Sequence, residues 1–313
     1  MKPKRVLVTG GAGFIGSHLI ESIIQEYDVN VLIIDNFSRG KKENLAQIKN
    51  KVSIIEGDLR NLDFALSNVK DVDLGFHLAA NYSVKLSSSD PIFDFNSNAL
   101  ATLHILEAMR KNDVNTMVFA SSSTVYGEVE MLPIPETAEL KPISNYGASK
   151  VCAETYVHSF SKPYGINGLI LRYANIIGPR SDHGVVPDFF KKLKENKKRL
   201  LIFGNGKQRK SYLFVSDCVN ATLLLLKNFR HGFDVYNVGS EEWITVDDIA
   251  RIVCDEMDLK NVEFEHTGGE RGWLGDVKEF LLDVKKLKLL GCKPKYSIEQ
   301  SIRQTVRWLK NNT

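Results

Sequence analysis

The stretch SNYGASK at 144–150 sets a tyrosine, Tyr146, four residues before a lysine, Lys150, in a segment that reads as the start of a helix. Positions i and i+4 share a helix face, so the phenol and the ammonium point the same way. The pair is either a solvated helix face or an acid–base couple in which the cation favours the phenolate. A free phenol titrates near about 10, so a tyrosine acting as a base at neutral pH needs such help. A second stretch, GGAGFIG at 10–16, offers phosphate chemistry. Gly11, Gly13 and Gly16 satisfy G-x-G-x-x-G, and Gly10, Gly13 and Gly16 satisfy G-x-x-G-x-x-G. Glycines there allow a tight turn and bring a pyrophosphate against backbone N–H groups at a helix N-terminus. Asp35 stands nineteen positions past Gly16, where a carboxylate bonds the adenosine ribose hydroxyls and repels a 2′-phosphate. That favours NAD over NADP, with Arg39 nearby as a counter-indication.

These residues need elements to hold them. RVLVTG (5–10) is a short apolar run ending at glycine, and Ile15, Leu19, Ile23 and Ile24 follow at helical spacing. VNVLIID (29–35), KVSIIEGD (51–58), VDLGFHLAA (72–80), NTMVFASSS (115–123) and INGLILRYANI (166–176) are further strands, with a helix near 96–111. Short continuous apolar strands alternating with helices predict an α/β fold, a doubly wound parallel (Rossmann) sheet covered on both faces. Strands near 211–216 and 234–238 are expected to return to it. The predicted organisation is a nucleotide-binding domain over 1–178, with return segments at about 204–240, and a smaller C-terminal α/β substrate lobe from 179–203 and 241–313. TVDDIARIVCDEM begins with an N-cap at Thr245, and Ile298, Ile302, Val306 and Leu309 form one face of a last helix.

The chain has 313 residues, 43% hydrophobic and 25% charged, with a formal net charge of +3. So even a balance points away from nucleic acid and from membrane surfaces. The basic run KKLKENKKR at 191–199 is read as the wet face of a helix. Cys152, Cys218, Cys254 and Cys292 are far apart and form no CxxC pair, so no metal site and no disulfide framework is expected. The N-terminus enters structure without an apolar leader, and no run of about 18 apolar residues occurs. A cytoplasmic protein is expected.

The markers TGGAGFIG, GDL at 57–59, HLAA at 77–80, SSSTVYG at 121–127, YGASK at 146–150 and LRYANIIGP at 171–179, in this order, resemble the extended short-chain dehydrogenase/reductases, the NAD-dependent epimerase/dehydratase family. The resemblance covers essentially the whole chain and is greatest to the UDP-glucose 4-epimerases. It implies NAD held by Gly10, Gly13, Phe14, Ile15, Gly16, Asp35, Asn36, Phe37, Ser38, Arg39, Gly40, Asp58, Leu59, Leu78, Ala79, Ala80, Asn98, Ser121 and Ala174, together with Tyr146 and Lys150. Asp58 is alternatively a helix cap, and the serines 121–123 alternatively a polar strand end. His77 is read as an inward packing residue. The resemblance makes Tyr146, Lys150 and Ser122 the catalytic set, with Ser123 as the fallback hydroxyl. Lys150 would hold the phenol ionised and reach the nicotinamide ribose.

The implied substrate is a nucleotide sugar, a UDP-hexose, touched by Asn81, Ser122, Ser123, Tyr146, Asn175, Arg209, Lys210 and Arg271, while Tyr82, like Asn81, falls close to the cofactor stretch Leu78–Ala80. The family's usual Arg-Asp pair falls here on Lys210 and Ser211, with Arg209 one place early. Lysine neutralises phosphate but lacks the bidentate fork. Phe280 stands where a bulky side chain favours plain hexose over N-acetylhexosamine. The implied reaction is 4-epimerisation through a transient 4-keto sugar. The alternatives are a nucleotide-sugar 4,6-dehydratase or an idle NAD-binding regulatory module. Dehydratases and decarboxylases carry acidic residues before VYG, where this chain has Ser123 and Thr124. Helices at 96–111 and 146–162 are family dimer elements, so a homodimer is expected.

Overall fold

The structure, a computed structural model, describes residues 3–81, 89–273 and 275–313. The chain divides into two compact units. The first comprises Met1–Gly127, Glu139–Arg172 and Thr222–Tyr236, and the second Glu128–Ala138, Tyr173–Ala221 and Asn237–Thr313.

In the first unit, Arg5–Thr9 (β1), Asn30–Asp35 (β2), Val52–Glu56 (β3), Leu74–His77 (β4), Thr116–Ser122 (β5) and Asn167–Tyr173 (β6) lie in one seven-stranded sheet. Its order is β3, β2, β1, β4, β5, β6 and then the strand Phe233–Val238. The pairs β1–β2, β2–β3, β1–β4 and β4–β5 are parallel. The central strands are buried at nearly every position, whereas β3 at the edge is largely exposed. That is why the inner strands are written as continuous Val, Ile and Leu runs rather than as alternation. Helix Phe14–Glu26 (α1) buries Leu19, Ile20 and Ile23, and the later helix Ala101–Lys111 buries Ile105, Leu106 and Met109. Leu7, Leu32, Ile34, Ile105, Leu106 and Phe119 belong to one core. Strand order reverses between β1 and β4, which opens a crevice at their carboxyl ends, the place where such sheets bind ligands.

The second unit packs helices Val185–Glu195, Val246–Glu256 and Ile298–Asn312 on a core that includes Phe189, Leu193, Ile249, Val253, Ile302 and Val306. Thr245 caps Val246–Glu256 by accepting from the Asp248 amide, as its sequence predicts. Ser297 and Gln300 form a full capping box on the last helix.

Two expectations about the strands are corrected. Strand 166–176 is broken: β6 ends at Tyr173, the Ala174 amide bonds the Val238 carbonyl at 2.8 Å, and Asn175–Ile177 starts a separate strand. The segment near 211–216 does not return to the main sheet. Tyr212–Phe214 pairs with Asn175–Ile177 instead, in a two-stranded sheet of the second unit. Phe233–Val238 does join the large sheet as expected. The basic run at 191–199 is helical to Glu195, and Arg199 opens the strand Arg199–Ile202.

Candidate active site

The glycine turn is built by close approach. Gly10 has φ +67°, and a Cβ on it would stand 2.7 Å from the Ala79 nitrogen. On Gly16 a Cβ would stand 2.4 Å from the Gly10 carbonyl oxygen. The turn closes with the Gly13 amide donating to that same oxygen at 3.1 Å. Gly13 is the N-cap of α1 and supplies no side-chain cap, and Phe14, Ile15 and Gly16 open the helix without an acidic residue. The first-turn amides are therefore left for an external acceptor. Asp35 ends β2 and is 7% exposed; its Oδ2 accepts from the Ala12 amide and its Oδ1 from the Phe37 amide, both at 2.9 Å. Burial pushes its carboxyl above the usual range, against these two hydrogen bonds. A Cβ on Gly40 would meet both Asp35 oxygens at 2.8 Å. Asn36 Oδ1 accepts from the Ser38 amide and hydroxyl, and Arg39 is exposed. Leu78, Ala79 and Ala80 follow β4 directly, and the Leu78 amide donates to the Thr9 carbonyl. A crevice lined by backbone, open amides and one buried carboxylate fits a dinucleotide.

Asp58 is engaged by Arg60, whose amide, Nε and NH2 donate to it, and this holds the carboxyl down to about 2. It caps no helix; Asn61 caps Leu62–Asn68 by accepting from the Phe64 amide. Leu59 is buried, and its carbonyl bonds His104.

Helix Asn145–Tyr164 starts at Ser144, which accepts from the Gly147 amide. A Cβ on Gly147 would stand 2.6 Å from the Thr124 carbonyl oxygen, so glycine lets this helix end approach the end of β5. Tyr146 and Lys150 are buried, 8% and 2% exposed. Ser122 hydrogen-bonds the Tyr146 phenol and itself accepts from the Thr124 amide at 3.2 Å and hydroxyl at 3.0 Å. The expected hydroxyl is thus Ser122; Ser123 begins the short turn Ser123–Val125. Lys150 Nζ donates to the Ala120 carbonyl at 2.8 Å, and lies 4.8 Å from the Phe119 ring centroid and 6.0 Å from that of Tyr146.

The protein's own groups act on the Tyr146 phenol in both directions, and burial outweighs the rest. Burial pushes it up to about 12, Ser122 draws it back and Asp94 pushes it further. Burial also lowers Lys150, to about 8, against the opposing pull of Glu154. The physical reason is that desolvation penalises both charged forms, while the ammonium is turned to a neutral carbonyl.

Sequence reasoning missed a buried polar network around this pair. Thr102 Oγ1 donates to the Asn98 carbonyl, which leaves His77 Nε2–H to donate to Thr102; Thr9 Oγ1 then donates to His77 Nδ1 and accepts from the Ala79 amide. This accounting assigns His77 a neutral Nε2–H form, and burial keeps its pKa down at about 3. Asn98 Oδ1 accepts from the Asn81 amide, its Nδ2 donates to Ser149, and Ser149 donates to the Tyr146 carbonyl. Asn81 Nδ2 donates to Asp94 Oδ1, while buried Asp94 Oδ2 has no partner. Ser121 donates to Glu154. The one available signal was Glu154 itself, which continues the four-residue spacing of Tyr146 and Lys150.

The remaining candidates lie in the second unit, except Tyr82, which falls outside the described residues. Ala174 is buried, and Asn175 Nδ2 donates to the Ser211 carbonyl. Arg209 pairs with Glu279 and lies 3.9 Å from the Trp243 ring centroid. Lys210 pairs with buried Asp276, and Arg271 with Glu128. Each cation is thus held by a carboxylate of the chain. Phe280 is buried, 4% exposed.

The profile of the NAD dependent epimerase/dehydratase family matches residues 6–239. The chain belongs to that family. A putative UDP-glucose 4-epimerase of Methanocaldococcus jannaschii is 37% identical, covering 98% of this chain and 99% of the relative. A crystal structure of a UDP-galactose 4-epimerase superposes with a TM-score of 0.89 at 39% identity, over 98% and 99% of the two chains. A dTDP-glucose 4,6-dehydratase of Streptomyces venezuelae, solved with NAD bound, gives 0.92 at 26% identity over 98% and 97%. The family member described here is an NAD-dependent enzyme of nucleotide-sugar epimerase/dehydratase type. Among its described residues, no helix is long and apolar enough to cross a membrane, and no group of three or more His, Cys, Asp or Glu is placed to hold a metal ion.

Proposed function

We propose that the protein is a UDP-glucose 4-epimerase, interconverting UDP-glucose and UDP-galactose. The observation that carries this reading is the occupancy of the β5 end. Thr124 spends its hydroxyl hydrogen on Ser122, and Ser122 bonds Tyr146. A dehydratase needs a general acid to expel water, and positions 123 and 124 offer hydroxyls only. Epimerisation needs one proton removed from, and returned to, the sugar 4-oxygen, which one phenol can do in both directions.

In this reading Tyr146 Oη takes the proton of the 4-hydroxyl and gives it back, and Ser122 Oγ bonds the same sugar oxygen. Bound NAD supplies reversible hydride acceptance at the sugar C4. Gly10, Gly13 and Gly16 seat its pyrophosphate against the open N-terminus of α1, and Asp35 takes its ribose hydroxyls. Lys150 contributes positive charge beneath the phenol and a donor for the nicotinamide ribose. The first unit is then the cofactor domain and the second the nucleotide-sugar lobe. Asn175, Arg209, Lys210 and Arg271 serve the diphosphate, which must share each cation with its present carboxylate. Buried Phe280 favours plain hexose. A homodimer through the helices at 96–111 and 146–162 fits the exposure of Tyr156 on the second of them. Four free cysteines suit a reducing cytoplasm.

The test is incubation with UDP-galactose without added reductant, followed by chromatography of the nucleotide sugars. UDP-glucose at a constant hexose total is expected. A product lighter by one water overturns the reading in favour of the dehydratase, and no turnover across UDP-hexoses overturns it in favour of the idle NAD-binding module.

A further inference from the structure

Glu154 and Arg172 form a buried ion pair that the proposed proton transfer does not use. Glu154 is 4% exposed and Arg172 5%. Arg172 Nε and NH2 grip the carboxylate at 3.0 and 2.7 Å, Ser121 Oγ donates to Glu154 Oε1 at 2.5 Å, and Arg172 NH1 donates to the Tyr126 hydroxyl at 2.9 Å. The carboxylate is thus locked by donors from β5 and β6. Tyr146, Lys150 and Glu154 recur every four residues, so they form one buried row along the helix.

We infer that Glu154, clamped by Arg172 and Ser121, is the positioning residue that supplies the buried counter-charge for the Lys150 ammonium. An ammonium facing a neutral carbonyl and an aromatic ring in a dry site tends to lose its proton. A carboxylate one turn away opposes that loss. A direct Lys150–Glu154 pair would draw the ammonium up the helix, away from the phenol. Because Arg172 and Ser121 occupy the carboxylate oxygens, Glu154 acts through its field while Nζ stays on the Ala120 carbonyl. The groups facing Lys150 from each neighbouring element agree with this. His77 on β4 is neutral and is itself held down partly by Lys150. Phe119 and Ala120 on β5 are uncharged. Arg172 on β6 lies behind Glu154, and Tyr146 on the same helix is held protonated with Asp94 acting on it. Glu154 raises Lys150 against burial.

The consequence for catalysis rests on the reading of Lys150 given above, so the experiment reads the lysine itself. Protein labelled with ¹³C-lysine is titrated by NMR, the Lys150 Cε resonance being assigned by its loss in Lys150→Met. The wild-type midpoint is expected at about 8. Glu154→Gln should lower it by about 1 pH unit or more. The double variant Glu154→Gln/Arg172→Met removes both charges, a replacement that commonly leaves stability intact. Its midpoint should fall between those of the wild type and the single variant. A wild-type midpoint in folded Glu154→Gln overturns the inference; should that variant not fold, a wild-type midpoint in the double variant does so. The alkaline limb of turnover is recorded alongside. A limb that stays while the midpoint moves counts against the catalytic role of Lys150, with Glu154 still its counter-charge.

Discussion

Gly16→Ala gives the cofactor cradle its sharpest test, because two effects of opposite sign compete at one atom. Gly16 lies in the first turn of α1, where alanine ordinarily stabilises a helix by about 1 kcal/mol. Here the new Cβ would stand 2.4 Å from the Gly10 carbonyl oxygen, 2.9 Å from Gly11 Cα and 3.1 Å from the Gly10 carbonyl carbon. All three neighbours are backbone, so no side chain can swing aside. Restoring van der Waals separation moves the Gly10–Gly13 turn by roughly 1 Å. Overpacking of this kind costs about 1–3 kcal/mol, enough to outweigh the helix gain. The turn that must move is the one proposed to seat the pyrophosphate, so much of the cost should fall on NAD binding, a loss of roughly 5- to 150-fold. The assay is NAD carried through gel filtration and released on denaturation, then titration of the stripped protein, with thermal melts in parallel. Gly165→Ala is the control. Unlike Gly16 it has a positive φ, +67°, and it meets nothing within 4 Å, so it should cost about 1 kcal/mol of backbone strain and leave NAD binding unchanged. A Gly16→Ala protein that holds NAD like the wild type and melts no lower would refute the close-approach argument.

Tyr146→Phe should lower turnover of UDP-galactose by about a hundredfold or more with NAD retained; near-normal activity places the base elsewhere. His77→Gln should flatten the acid side of the stability curve. His77 stays neutral in the fold down to about 3, against an ordinary value of 6.5, so the unfolded chain binds the extra proton below pH 6.5 and wild-type stability falls as pH drops. Between pH 6.5 and 5 that loss is about 2 kcal/mol, measurable by denaturant melts, and a glutamine variant with the same slope would contradict the assigned network.

The sheet and its glycine turn were legible because they rest on local signals: continuous apolar runs, glycines between strand and helix, and Asp35 at the right distance. The Tyr146–Lys150 pair needed the family resemblance, since spacing alone describes any wet helix face. What escaped was long-range. Nothing local says that Tyr212–Phe214 would pair with Asn175–Ile177 rather than join the large sheet. Nothing in GKQRKSY reveals that Arg209 and Lys210 would meet Glu279 and Asp276, some seventy positions on. Asp94 contributes a buried charge to Tyr146 across a sequence separation that no periodicity spans.

That charge bears on how the site must work. With the phenol pushed up to about 12 and Lys150 down to about 8, the chain's own groups set the pair toward its uncharged forms. A tyrosine so placed is a poor base in the bare protein. Positive charge brought beside it, with the Ser122 hydrogen bond kept, is needed to shift it toward the phenolate. Asp94 works against ionisation, Ser122 works for it, and Glu154 keeps the neighbouring ammonium available. On the proposed epimerase reading, base strength is then conditional on a loaded cradle, and the glycine turn and the tyrosine, on different elements of one unit, act as parts of a single device. An epimerase must return the proton it removes, and a phenol whose ionisation depends on its surroundings can do both.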